Sequence, residues 1–274
     1  MILRKTIKFL TIAALATAWV GYSHASAIIE WNFDGLPGGT APVGMIGTSG
    51  IPGVSGRIYY GQGIARNNAW YGNFTSASKS SAWGATGWHK NALNAGSRSG
   101  AIANDVSYII EFVIAPGVVL DLDTLLVPMF CERMNEDVCN MIGQWQYQVN
   151  GGGWDPLGGE ISIYESPKGL NQANKPFSWE IVDLSGIGVL GDVNATETTT
   201  VQIRLVMWGI PPDNPAIDVY WGKDGRTIPI NQLPSFLDDR NSLIIYGTVI
   251  PEPSAAALLV FSSAVLLLRR RKRE

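Results

Sequence analysis

The chain has 274 residues, 46% of them hydrophobic and only 16% charged, with a formal net charge of −3. That composition excludes a disordered protein, and the length is ample to bury a core. Setting aside Arg4, Lys5, Lys8, the run Arg269–Arg273 and Glu274 removes a net +7, leaving about −10 on the rest. An acidic body of this kind does not bind nucleic acid through its phosphates.

Met1–Ala27 reads as an export signal. Arg4, Lys5 and Lys8 form a positive start, Phe9–Val20 is an apolar run of signal-peptide length, and Ala25 and Ala27 are the small residues of a cleavage site. Signal peptidase is then the first processing partner, and the exported chain begins at Ile28. A retained N-terminal anchor is the alternative. No cysteine follows the apolar run, so lipoprotein processing is not open to it.

The body, residues 28–248, reads as all-β. Ile28–Phe33 alternates and opens it, and Asp34–Gly56 is rich in glycine and proline. Trp70–Ser107 is a long stretch of small residues, which argues for turns and short strands. Tyr108–Ile114 is dense in β-branched and aromatic residues, and Leu122–Phe130 follows a turn at Ala115–Gly117. Gln144–Val149 alternates polar and apolar residues, the mark of a strand with one wet face. Asn150–Gly153 is a turn, with Trp154 onward as the hairpin partner. Glu160–Tyr164, Ser178–Leu184, Val201–Trp208, Ile217–Trp221 and Leu243–Thr248 complete the strands. Leu184–Leu190 has room for one helical turn. Roughly ten short strands between turn signals predict a two-layer β-sandwich of jelly-roll type.

Cys131 and Cys139 are the only cysteines. In an oxidising compartment such a pair most simply forms one disulfide across a short loop. His89 is the single histidine left after signal removal, in G-W-H-K with no G-x-S-x-G turn beside it. A Ser-His or Cys-His mechanism therefore has no built site. Glycoside hydrolysis needs two facing carboxylates; Glu111 and Glu180 are expected on wet strand faces. No catalytic residue and no cofactor are assigned. Asp121 and Asp123 share one strand face, where a solvated edge is one reading and a structural Ca²⁺ the other. Trp70, Trp83, Trp88 and Trp154 lie in glycine-rich stretches, where aromatic faces stack on sugars or cap the ends of a sandwich. Trp31, Trp179, Trp208 and Trp221 sit in apolar strands and read as core.

Residues 249–274 form a tail in three parts. Pro251-Glu252-Pro253-Ser254 is an extended, accessible segment, because each proline fixes its own φ and biases the preceding residue away from helix. Ala255–Leu268 carries no charge and reads as a short transmembrane helix, about 21 Å at 1.5 Å per residue. Arg269, Arg270, Arg271, Lys272 and Arg273 form a basic cluster that stays on the cytoplasmic side and stops transfer. This order of parts resembles the PEP-CTERM sorting tail of bacterial envelope proteins. The resemblance implies cleavage by exosortase, a membrane-embedded cysteine transpeptidase, near the Pro-Glu-Pro triplet. A plain C-terminal anchor is the alternative.

The body carries a looser resemblance to the jelly-roll domains that accompany such tails. It rests on Trp31-Asn32-Phe33, on Tyr108–Leu125 with its P-G turn and D-L-D-x-L strand, on Val201–Trp208, and on Leu243–Gly247 just before Pro251. It implies a fold and no activity. The function expected is a non-catalytic protein of the cell surface or matrix, held first in the inner membrane and then sorted, with exopolysaccharide as a partner. The alternative is a surface-displayed carbohydrate-binding module or a weak glycan-active enzyme.

Overall fold

The computed structural model describes residues 25–33, 39–40, 44–62, 69–73, 81–85, 96–133, 140–165, 177–191, 196–209, 217–222 and 242–250. The expected signal residues before Ala25, the whole sorting segment from Pro251, His89, Trp88 and Cys139 lie outside them. No helix among the described residues is long and apolar enough to cross a membrane.

The described chain is almost entirely strand. In order it forms β1 (Ser26–Asn32), β2 (Gly39–Thr40), β3 (Gly44–Ile46), β4 (Val54–Tyr60), β5 (Ala69–Asn73) and β6 (Ser81–Ala85). A short helix, α1 (Arg98–Ala103), precedes β7 (Ser107–Ile114), β8 (Leu120–Arg133), β9 (Asn140–Val149), β10 (Asp155–Glu165) and β11 (Phe177–Asp183). One 3-10 turn at Ser185–Ile187 leads into β12 (Val189–Leu190), β13 (Thr199–Trp208), β14 (Ile217–Gly222) and β15 (Ser242–Val249). The 3-10 turn falls where the sequence left room for one. Helix α1 corrects the reading of Trp70–Ser107 as turns and strands alone. The Ser97 hydroxyl accepts a hydrogen bond from the Gly100 amide at 3.2 Å, so a local N-cap starts a helix too short to show a periodic pattern.

Two antiparallel sheets result. One is nine-stranded, in the order β1-β15-β8-β14-β6-β5-β2 with β11 and β12 also on β8; the other is six-stranded, β10-β9-β13-β7-β4-β3. Strand β8 organises the larger sheet. Its Met129 is registered with Trp221 of β14 and with Ser178 of β11, so these two strands lie on opposite sides of it. β15 pairs with Leu120–Leu126 of the same strand. The first and last strands of the body are neighbours, with Ser26 opposite Gly247 and Asn32 opposite Ser242.

The core lies between the sheets. Alternation sends Tyr108, Ile110, Phe112 and Ile114 of β7 inward, with Val201, Ile203, Leu205 and Met207 of β13, all buried. Leu125, Val127 and Met129 of β8 and Leu243 and Ile245 of β15 face them from the other sheet. Large aromatic rings fill the middle. Trp221 meets Tyr108 edge-on at 4.8 Å and stacks near Trp145 at 6.3 Å, so β14, β7 and β9 are tied across the layers. Trp31, Trp208 and Trp221 are core residues, as their strands predicted. A smaller cluster of Leu126, Ile244, Tyr246 and Ala27 lies apart from the main core.

Candidate functional site

The most organised polar group among the described residues lies on the outer face of the six-stranded sheet. Strand β4 positions it. In V-S-G-R-I-Y-Y the residues Val54, Ile58 and Tyr60 are buried, and Arg57 and Tyr59 alternate onto the other face. Gly56 lets β4 sit close, because a Cβ there would come within 2.7 Å of the Glu111 carbonyl oxygen and 2.8 Å of Ile29. The register then aligns Arg57 with Glu111, Glu111 with Gln202, and Gln202 with Gln148 across four strands.

Glu111 is the hub. Its Oε1 accepts from Arg57 Nε at 2.8 Å, with Arg57 Nη2 also at 2.8 Å. Its Oε2 accepts from the Tyr59 hydroxyl at 3.0 Å and from Gln202 Nε2 at 2.6 Å. Gln148 Nε2 donates to Gln202 Oε1, which continues the row onto β9. Burial alone would raise the Glu111 pKa. The hydrogen bonds from Gln202, Arg57 and Tyr59, with the Arg57 charge, outweigh it and hold the carboxyl below its ordinary value. Tyr59 is pushed up to about 12, by burial first and then by the charge of Glu111 and its hydrogen bond.

A second row runs beside the first. Arg204 is buried, donates from Nε to Gln146 Oε1 at 2.9 Å, and lays its guanidinium 3.9 Å from the centre of the Trp154 ring. Asp105 stands 3.7 Å from Arg204 Nη1. Burial lowers the Arg204 pKa, and the Asp105 charge partly opposes this. Further along, Arg98 of α1 donates to Gln144 Oε1 at 2.5 Å, so the helix closes one end of the face.

This chemistry is that of a fixed hydrogen-bonding surface. A general acid or base needs a pKa near the working pH, whereas Glu111 moves down and Tyr59 moves up, each away from neutrality. Glu111 acts here as an acceptor, and the Tyr59 hydroxyl both donates to it and accepts from Gln202 Nε2 at 2.8 Å.

The residues singled out in the sequence fall elsewhere, with two exceptions. Glu111, expected on a wet strand face, is the hub of the row. Trp154 joins the polar face through Arg204. Trp70 and Trp83 are strand residues rather than loop residues, on β5 and β6, and Trp83 is registered with Trp221. Their strands are hidden in sequence because glycine and serine dilute the alternation, and their support comes from β14, far along the chain. Asp121 and Asp123 are exposed on β8, with Asp121 opposite Thr248 and Val189. Among the described residues no group of three or more His, Cys, Asp or Glu residues could hold a metal ion. Cys131 lies on β8 opposite Val219 of β14. Ala27 is paired in β1 opposite Tyr246, so the chain is already strand at the expected cleavage site. Sequence reading missed Arg57, Tyr59, Gln202 and Arg204. The alternation of Val54, Gly56, Ile58 and Tyr60 was the available signal for the first two.

The chain matches no protein-family model, no curated protein and no solved structure.

Proposed function

We propose that this is a non-catalytic exported protein of the bacterial cell surface or matrix, sorted by exosortase through a PEP-CTERM tail. The observation that carries the reading is the order of parts at the C-terminus: Pro251-Glu252-Pro253, the apolar Ala255–Leu268, then Arg269–Arg273. The last described strand, Ser242–Val249, runs up to the start of that segment. The Ile250 amide donates to the Val119 carbonyl at 2.9 Å, and Pro251 follows directly. In this reading the signal segment and Ala255–Leu268 are helices in the membrane, and signal peptidase and exosortase are the processing partners. We also infer a jelly-roll arrangement for the body. The chain passes from β7 to β8, β9 and β10, β11, β13 and β15 by repeated switches between sheets, and β1-β15-β8-β11 lies opposite β10-β9-β13-β7. That interleaving supports the jelly-roll reading.

The C-terminal mass of the mature protein from its native host tests the sorting reading. A terminus close to Pro251-Glu252-Pro253 is expected. A terminus at Glu274 with the apolar run intact means a plain single-pass anchor.

A second reading has an observation in its favour. The Arg57–Glu111–Gln202–Gln148 row, with Tyr59 beside it and Trp154 on the same face, combines planar hydrogen-bonding groups with aromatic rings. That mixture suits a neutral glycan chain. Glycan-array binding by the wild type, lost in Tyr59→Ala, is the expected result if the face takes sugar; an array without signal removes this reading.

A further inference from the structure

Which way the body faces follows from where its two ends leave the fold. β15 is hydrogen-bonded to β8 as far as Val249, and the Ile250 amide is still bonded to Val119. Only the four residues Pro251–Ser254 separate that point from the apolar run. Four extended residues span at most about 14 Å at ~3.6 Å each. β1 starts at the same end, since Ser26 lies opposite Gly247. The signal segment and the tail therefore both leave one pole of the sandwich, from neighbouring strands.

That pole has a distinct surface. Val189, Val249 and Ile250 are 58%, 39% and 39% exposed, and account for three of the six large hydrophobic residues exposed among those described. Register sets them at one end of the larger sheet, on its two faces: Val189 shares the outer row of Asp121 and Thr248, and Val249 the inner row of the buried Leu120, with Ile250 next in the chain. Pro116, in the turn that feeds β8, is exposed there as well. Asp121 and Asp123, both exposed, flank the apolar tip. A contact made by this pole is thus apolar in kind, since its carboxylates are not attracted to anionic headgroups. The opposite pole holds α1 and the start of β7, and β7 runs from Ser107 to Ile114, about 24 Å at ~3.4 Å per residue.

We propose that the pole bearing Val189, Val249 and Ile250 is a membrane-facing surface, held against the outer lipid–water boundary of the inner membrane while the tail is inserted. This rests on the reading of Ala255–Leu268 as a membrane span. The short tether limits the body to one orientation, and the exposed valines and isoleucine bury apolar area at the boundary rather than in water. The polar face of the six-stranded sheet then stands along the side of the body, open to the envelope.

Full-length protein with Cys131 and Cys139 replaced by serine, reconstituted in phosphatidylcholine vesicles, provides the test. Single cysteines are introduced by Val189→Cys, Ile102→Cys on α1, or Ser262→Cys in the apolar run. Each carries an environment-sensitive fluorophore, and quenching by nitroxide-labelled headgroups and acyl chains is read. The expected result is loss of most emission at position 189 with headgroup quencher, at position 262 with acyl-chain quencher, and little change at position 102. Quenching at 262 with none at 189, or with equal quenching at 189 and 102, overturns the orientation and leaves the span intact. Absence of quenching at 262 overturns the span itself, and the proposed orientation with it. Near-native circular dichroism of each variant shows that the comparison is made on folded protein.

Discussion

Replacing Glu111 with glutamine isolates the charge at the hub of the polar face while keeping its shape. In the wild type two carboxylate oxygens accept from four donor atoms: Arg57 Nε and Nη2, the Tyr59 hydroxyl and Gln202 Nε2. An amide keeps one acceptor oxygen and offers an NH₂ to the other side. The oxygen can stay with Arg57, and the Tyr59 hydroxyl can turn to accept. Gln202 must then flip its own amide and give up Gln148 as a donor partner. Each charge-assisted hydrogen bond is worth about 1.5–3 kcal/mol where water is excluded. Arg57 is 55% exposed and Glu111 15%, so solvent screens the ion pair. A net loss of about 1–2 kcal/mol is expected once that screening is applied. Urea unfolding of wild type and Glu111→Gln in parallel, across pH 3 to 8, measures it. The sign of the pH dependence is fixed by the downward shift of Glu111. A carboxyl whose folded pKa lies below its unfolded value, about 4.3, stabilises the fold above that value. The contribution is lost as pH falls through the folded pKa. The gap between wild type and variant should be constant near neutrality and close under acid. A gap that is absent at pH 7, or that widens as pH falls, refutes the assignment of Glu111 as an ionised hub.

Gly247→Ala should weaken the pairing of β15 with β8, since a Cβ at 247 would lie 2.4 Å from the Asp121 carbonyl oxygen and 3.1 Å from Leu122 Cα. Overpacking of this kind costs about 1–3 kcal/mol, and thermal unfolding reports it. Trp145→Phe should be nearly neutral, within about 1 kcal/mol, because the lost ring area is set against removal of a buried indole N–H that has no hydrogen-bond partner among the described residues; a loss well beyond that would mean the N–H is satisfied in solution. Cys131 and Cys139 should be bridged in exported protein, joining β8 to the residue before β9, and reduction should cost toward the lower part of about 2–4 kcal/mol. Two free thiols after trapping and denaturation would sink that expectation.

The strands with dense β-branched or aromatic residues were legible in the sequence. Tyr108–Ile114, Val201–Trp208 and Leu243–Thr248 each match an observed strand within two residues at either end, because a buried strand face imposes its period on the chain locally. The hairpin of β9 and β10 was equally local, a glycine-rich turn between two strands. β4 was not read, since Gly56 and the preceding loop obscure four alternating positions. The candidate site fails to show for a related reason. Glu111 could be placed on a wet face, but its partners Arg57 and Gln202 stand 54 and 91 residues away.

By itself the sequence determined the local events: a β-rich body, and the alternation that makes each strand one-sided. Only the tertiary structure decided which strands meet. β15 lies between β1 and β8, so the ends of the body leave one pole side by side, although more than two hundred residues separate them. Closing so long a loop costs little more than closing a shorter one, because the entropic penalty grows only logarithmically with length. Local sequence therefore sets no preference between near and distant partners. The choice is made when a whole apolar face is buried at once, and Arg57, Glu111 and Gln202 are brought into one row as its consequence.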